Sequence, residues 1–99
     1  MPTKEELKAR VCEVIDQRAH EIIGLSRHVL DNPESGYREH KTARFVRQQF
    51  DKLELDHRDG LALTGIKSWM DAGASGPTVA VMGELDSMII PAHPKADPG

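Results

Sequence analysis

Apolar residues recur at steps of three and four through the start of the chain: Leu7, Val11, Val14 with Ile15, then Ile22, Leu25 and Val29. Lys8, Arg10, Glu13, Asp16 and Gln17 mostly fall on the opposite side. This spacing predicts one long amphipathic helix over residues 3–31. Thr3 suits its N-cap, Glu6 completes a capping box, and Glu5 places negative charge at the positive end of the helix dipole. Gly24 interrupts the stripe at a cost of about 1 kcal/mol relative to alanine, which predicts either a closely packed neighbour or a bend. Asn32 precedes Pro33 and is driven out of the helical region, so the element ends there. A Glu34-Ser35-Gly36-Tyr37 turn then leads to a second helix over residues 38–53, with Thr42, Phe45, Val46, Gln49, Phe50 and Leu53 at helical spacing.

Beyond Leu53 the period shortens. Leu55-Asp56-His57-Arg58 reads as a short strand and Asp59-Gly60 as a turn. Residues 63–70 and 78–85 read as two further strands joined by the glycine-rich loop 71–77. The run Val79-Ala80-Val81-Met82 is continuously apolar, as in a strand buried on both faces of an α/β sheet. Residues 91–99 hold three prolines and no periodicity, which predicts an extended or disordered tail. The expected class is therefore α/β: two amino-terminal helices followed by a strand hairpin.

Composition narrows the functional classes. The chain has 99 residues, room for one domain, with a net charge of -3 and a pI near 5.9. Residues 1–53 carry ten basic and nine acidic side chains, whereas 54–99 carry three and seven. This balance favours neither nucleic acid nor an acidic membrane surface as a partner. No segment approaches the roughly 18 apolar residues needed to cross a bilayer, and the charged start lacks a secretory apolar core, so a cytoplasmic location is expected. One cysteine, Cys12, fits a reducing compartment and cannot form an internal disulfide.

Candidate chemistry is sparse. His20-Glu21 opens like the zinc-protease helix motif, but Gly24 stands where the second histidine is required. His28, on an amphipathic helix, reads first as a hydrogen-bonding side chain. Cys12 reads as a packing residue, because no histidine or cationic cluster lies nearby to lower its pKa. The sharper feature is Gly83-Glu84-Leu85-Asp86, two carboxylates ending an apolar strand. Ligands gather at the carboxyl ends of strands in α/β proteins, and residues two apart on a strand share a face. Glu84 and Asp86 are therefore placed to bind a cation together or to orient a histidine ligand. The competing reading is a solvated strand end.

The order of several short motifs resembles peptidase family M twenty, specifically its aminoacylase-like amidohydrolase branch. His28 followed by Asn32-Pro33-Glu34, then Glu39 and Thr42, is similar to the family's His…Pro-Glu…Glu…Thr segment. Leu63-Thr64-Gly65-Ile66 resembles its Thr-Gly-Val, and Gly76-Pro77-Thr78-Val79-Ala80-Val81 its Gly-Pro-apolar strand. Glu84-Leu85-Asp86-Ser87-Met88 with Pro91 falls where the branch has Asp-Met-Asp-Ala-Leu-Pro. The resemblance spans about residues 3–98 and implies metal-dependent hydrolysis of an amide bond in an N-acyl amino acid or dipeptide. It implies a mixed-sheet, zinc-peptidase-like catalytic domain, of which residues 1–99 are the amino-terminal part. It also implies two divalent ions, zinc or manganese, and a homodimer for the full-length enzyme. By the same resemblance Asp86 is the catalytic aspartate that supports the metal site, and Glu84 stands at a carboxylate position beside it. The family's Cys-Gly-His motif, its Glu-Glu pair with the general base and its later histidine ligands would all follow Gly99. The chain alone is then expected to bind no metal and to be inactive. The alternative is a non-catalytic α/β interaction module whose apolar stripes dock on another protein.

Overall fold

The computed structural model describes residues 1–95. Among them are three helices, α1 (Lys4–Gln17), α2 (Ala19–Asp31) and α3 (His40–Lys52), and two strands, β1 (His57–Leu61) and β2 (Gly65–Ser68). The chain divides into two compact units, Met1–Asp31 and Asn32–Gly99.

The first unit is α1 and α2. The capping box forms as expected: the Glu6 amide donates to Thr3 Oγ1 at 3.2 Å and the Thr3 amide to the Glu6 carboxylate at 3.2 Å. The single long helix expected over 3–31 is interrupted at Arg18, whose φ of -103° and ψ of 14° leave the helical region. Neither glycine nor proline marks that position. The Arg18 guanidinium reaches forward to the Glu21 carboxylate through two hydrogen bonds of 2.9 and 2.8 Å, an exposed pair spanning the new helix start. Gly24, where a bend or a close neighbour is expected, lies inside α2, and a Cβ added there would meet no atom within 4 Å. The stripe is only partly covered: Val14, Leu25 and Val29 are half-buried, whereas Leu7, Val11, Ile15 and Ile22, with the adjacent Ile23, are exposed. Cys12 is exposed as well, not packed as expected.

The second unit is α3 against a hairpin. β1 and β2 pair antiparallel with His57 opposite Ser68, Arg58 opposite Lys67 and Leu61 opposite Gly65. Asp59-Gly60, expected to turn the chain, instead lies within β1 as an irregularity between Arg58 and Leu61, with Gly60 at φ +69°. Ala62 and Leu63 make the tight return at φ 46° and 79°. Gly65 is required where it stands, because a Cβ there would lie 2.5 Å from the Leu61 carbonyl oxygen. The hairpin ends are tied by Ser68 Oγ donating to the Asp56 carbonyl at 2.8 Å. The Phe45, Val46 and Phe50 side chains of α3 are half-buried, as are Leu55, Leu61 and Ile66. His57 Nε2 meets Asp51 Oδ1 at 2.7 Å, and its ring lies 6.1 Å from that of Phe50.

The hairpin expected between residues 63–70 and 78–85 is not the one that forms. Residues 78–85 have no strand, and Val79, Val81 and Met82 are 83%, 97% and 93% exposed, the reverse of a strand buried on both faces. A strand exists only through hydrogen bonds to a neighbour, and β1 and β2 pair with each other. Residues 91–95 make turns, with the His93 amide donating to the Ile90 carbonyl at 3.1 Å. The remainder of the expected tail, 96–99, lies outside the described residues.

Candidate functional site

No apolar side chain among the described residues is buried; the most enclosed ones are Glu39, Thr42 and Thr64. These three belong to a polar cluster that joins the start of α3 to the hairpin. Buried polar groups are costly unless paired, and here each is paired. The Thr64 hydroxyl donates to Glu39 Oε2 at 2.9 Å across 25 residues of chain, while the Arg38 amide donates to Glu39 Oε1 at 2.8 Å.

Glu39 is the N-cap of α3 yet makes no side-chain capping bond. Glu34 takes that role from upstream. The Thr42 amide donates to Glu34 Oε1 at 2.6 Å, the Thr42 hydroxyl to the same oxygen at 2.9 Å, and the Lys41 amide to Oε2 at 3.1 Å. A carboxylate over the first turn satisfies free helix N–H groups and meets the positive end of the dipole. Loss of hydration pushes the Glu34 carboxyl up, but the Thr42 and Lys41 amides and the Thr42 hydroxyl together outweigh it and hold the group below its ordinary value.

The main chain of Glu34 has a second partner. Its carbonyl accepts a 2.7 Å hydrogen bond from the Ser87 amide, so the segment carrying Glu84 and Asp86 returns to the α3 cap. Around that anchor Leu85 and Ser87 are half-buried, whereas Glu84 and Asp86 are exposed. The two carboxylates thus occupy alternate positions of an anchored loop rather than the end of a strand. Neither accepts a hydrogen bond from any described residue. His28 lies in the last turn of α2 in the other unit.

A shallow cavity of about 310 Å³ lies beside this cluster, lined by His40, Arg44, Arg47, Asp59 and Leu63 among others. Its strongest polar feature is internal: Arg47 Nη1 donates to Asp59 Oδ2 at 2.8 Å, a bond that, with the Arg47 charge, holds the Asp59 carboxyl below its ordinary value. Among the described residues no three histidine, cysteine, aspartate or glutamate side chains converge as metal ligands. Glu84 and Asp86 by themselves do not make a binuclear metal centre. No helix among the described residues is long and apolar enough to cross a membrane.

Comparison with curated proteins bears on what such a scaffold belongs to. IAA-amino acid hydrolase ILR1-like 6 of Arabidopsis thaliana is 36% identical over 64 residues, which are 65% of this chain and 14% of that protein. Thermostable carboxypeptidase 2 of Saccharolobus solfataricus is 30% identical over 89 residues, 89% of this chain and 22% of its own length. A Bacillus subtilis protein named as an amidohydrolase, YhaA, is 26% identical over 84 residues, 85% of this chain and 21% of that protein. The homologues are hydrolases. The chain spans between 14% and 22% of the length of these three relatives. No protein-family profile matches the chain, and no solved structure matches it.

The residues that the sequence singles out separate into two groups. Glu34, Glu39, Thr42 and Thr64 come together at the start of α3 as two hydrogen-bonded pairs, Glu34 with Thr42 and Glu39 with Thr64. Their bonding is not visible in helical periodicity, because it is made by a turn residue and a hairpin residue; the only signal is the occurrence of Pro-Glu, Glu, Thr and Thr-Gly in order. Glu84 and Asp86 reach the same unit through Ser87.

Proposed function

We propose that this chain is the amino-terminal part of the catalytic domain of a metal-dependent amidohydrolase that cleaves the amide bond of N-acyl amino acids or dipeptides, and that it is inactive alone. The observation that carries the reading is the 30% identity to a carboxypeptidase over 89% of this chain but only 22% of the relative. Amide hydrolysis requires an activated water, a proton acceptor and stabilisation of the tetrahedral oxyanion. The described residues offer two exposed carboxylates, Glu84 and Asp86, and no converging set of ligands. Asp86 is assigned the supporting role at the metal site and Glu84 the neighbouring carboxylate position; two zinc or manganese ions supply the Lewis acid once ligands from the rest of the protein enclose them. The substrate is then a small acylated amino acid or dipeptide, processed in the cytosol by a homodimer.

The test is the reading frame beyond Gly99. An in-frame continuation encoding Ala-Cys-Gly-His is expected, and the extended protein should release free amino acid from N-acyl amino acids or dipeptides when loaded with zinc or manganese. A panel of such substrates left intact by the loaded, extended protein would refute the activity. The 99-residue chain with either metal should show no turnover. Turnover by this short chain that disappears in Asp86→Ala would refute the division of labour. A stop codon after a well-folded monomer favours instead the interaction module, whose support is the exposed stripe of Leu7, Val11 and Ile15.

A further inference from the structure

We propose that Glu34 is a positioning residue for Asp86, one residue serving two anchors: its carboxylate fixes the first turn of α3, and its carbonyl, through the Ser87 amide, fixes the loop that carries both carboxylates. The inference rests on the reading of Asp86 given above, but its geometry stands on this chain alone. The Glu34 side chain takes three hydrogen bonds from Lys41 and Thr42. With the carboxylate held at both oxygens by the start of α3, Glu34 is tethered from its side chain, which limits the freedom of its peptide plane to rotate. That plane presents the carbonyl to Ser87 at 2.7 Å. No strand holds residues 78–85, and among the described residues this main-chain bond ties the 84–87 segment to the turn before α3. Ser87 follows Asp86 directly, so a fixed Ser87 amide leaves the Asp86 Cα little room to wander. The half-buried Leu85 and Ser87 then keep Glu84 and Asp86 outward. Separately, the Thr64 hydroxyl on Glu39 Oε2 ties the start of α3 to the hairpin.

The experiment is NMR on the 99-residue chain. A trans-hydrogen-bond coupling between the Ser87 nitrogen and the Glu34 carbonyl carbon is expected. In Glu34→Ala, the Lys41, Thr42 and Ser87 amides should all exchange about tenfold faster, since Lys41 and Thr42 lose their acceptor and the carbonyl that Ser87 uses loses the side-chain tether that held it in place. Glu34→Gln retains an oxygen acceptor for Thr42 and should restore much of the protection at Ser87 as well as in α3. Faster exchange at Lys41 and Thr42 with Ser87 unchanged would reduce Glu34 to a helix cap and overturn the proposal. Should Glu34→Ala fail to fold, an amide-to-ester replacement of the Asp86–Ser87 linkage, made by chemical ligation, removes the Ser87 donor alone. Backbone order at Asp86 should then fall while Lys41 and Thr42 stay protected, and unchanged order at Asp86 would overturn it. Absence of hydrolysis by the extended protein leaves these couplings in place, so the two readings fail separately.

Discussion

Glu34 and Glu39 sit five residues apart and have exchanged the roles that their positions suggest. Glu39 occupies the N-cap and turns its carboxylate to Thr64, while Glu34 reaches past it to the Lys41 and Thr42 amides. Glutamate is not among the side chains that cap well from the N-cap position, and the remote carboxylate takes the role because the Gly36-Tyr37 turn, with Tyr37 at φ 61°, folds the chain back over the helix start. The depressed Glu34 carboxyl gives this arrangement a pH signature. A group held below its ordinary value of 4.5 adds stability that is fully present above that pH and is lost as pH falls through its lower folded value. Chemical denaturation of the chain should therefore show a stability plateau above this range and a decline below it. In Glu34→Gln that decline should be shallower, with the remaining slope carried by Asp59, whose ordinary value is 3.8 and which is held low by Arg47. Parallel declines in both proteins would contradict the cap.

Helix periodicity places the outer bounds of the helical stretches, α1 with α2 as one helix and α3 as another, to within a few residues, because an amphipathic stripe and a capping box are local properties. It does not locate the interruption at Arg18, where the sequence offers no breaker and the side chain is exposed and paired with Glu21. Nor does glycine act as expected. Gly24 runs through the middle of α2 with open space around it, so a methyl group there meets nothing and removes only backbone freedom from the unfolded chain. Gly24→Ala should stabilise the chain by about 0.5–1 kcal/mol, read as a higher denaturation midpoint with unchanged slope. A destabilised variant would mean that something packs against α2 at that point. Gly65 is the opposite case, since a side chain there collides with the Leu61 backbone. The two glycines are indistinguishable as letters in a pattern; only the hairpin register separates them.

At the scale of the whole molecule the telling feature is what remains uncovered. Much of the α1 stripe and the apolar run at 79–82 are exposed, and the most enclosed residues are polar. Surfaces of this kind ordinarily face another layer of structure, which accords with a chain matching between 14% and 22% of three hydrolase relatives. Amides of residues 78–85 should exchange without protection in the isolated chain, whereas those of α3 and the β1–β2 ladder should be slowed, a contrast measurable by hydrogen exchange with mass spectrometry. Equal protection across both regions would show that 78–85 has found a strand partner. The sequence by itself determined where helix forms, the Thr3–Glu6 capping box, the acidic second half, the motif order that resembles amidohydrolases and the pairing of Glu84 with Asp86 along the chain. Those depend on neighbours within a turn or two, or on composition alone. Tertiary structure decided which segments became the hairpin, which carboxylate capped α3, and how Ser87 brought the Glu84–Asp86 loop to Glu34. Each of these requires a donor and an acceptor far apart in sequence to meet, and the hydrophobic pattern records a segment's readiness to pair without naming its partner.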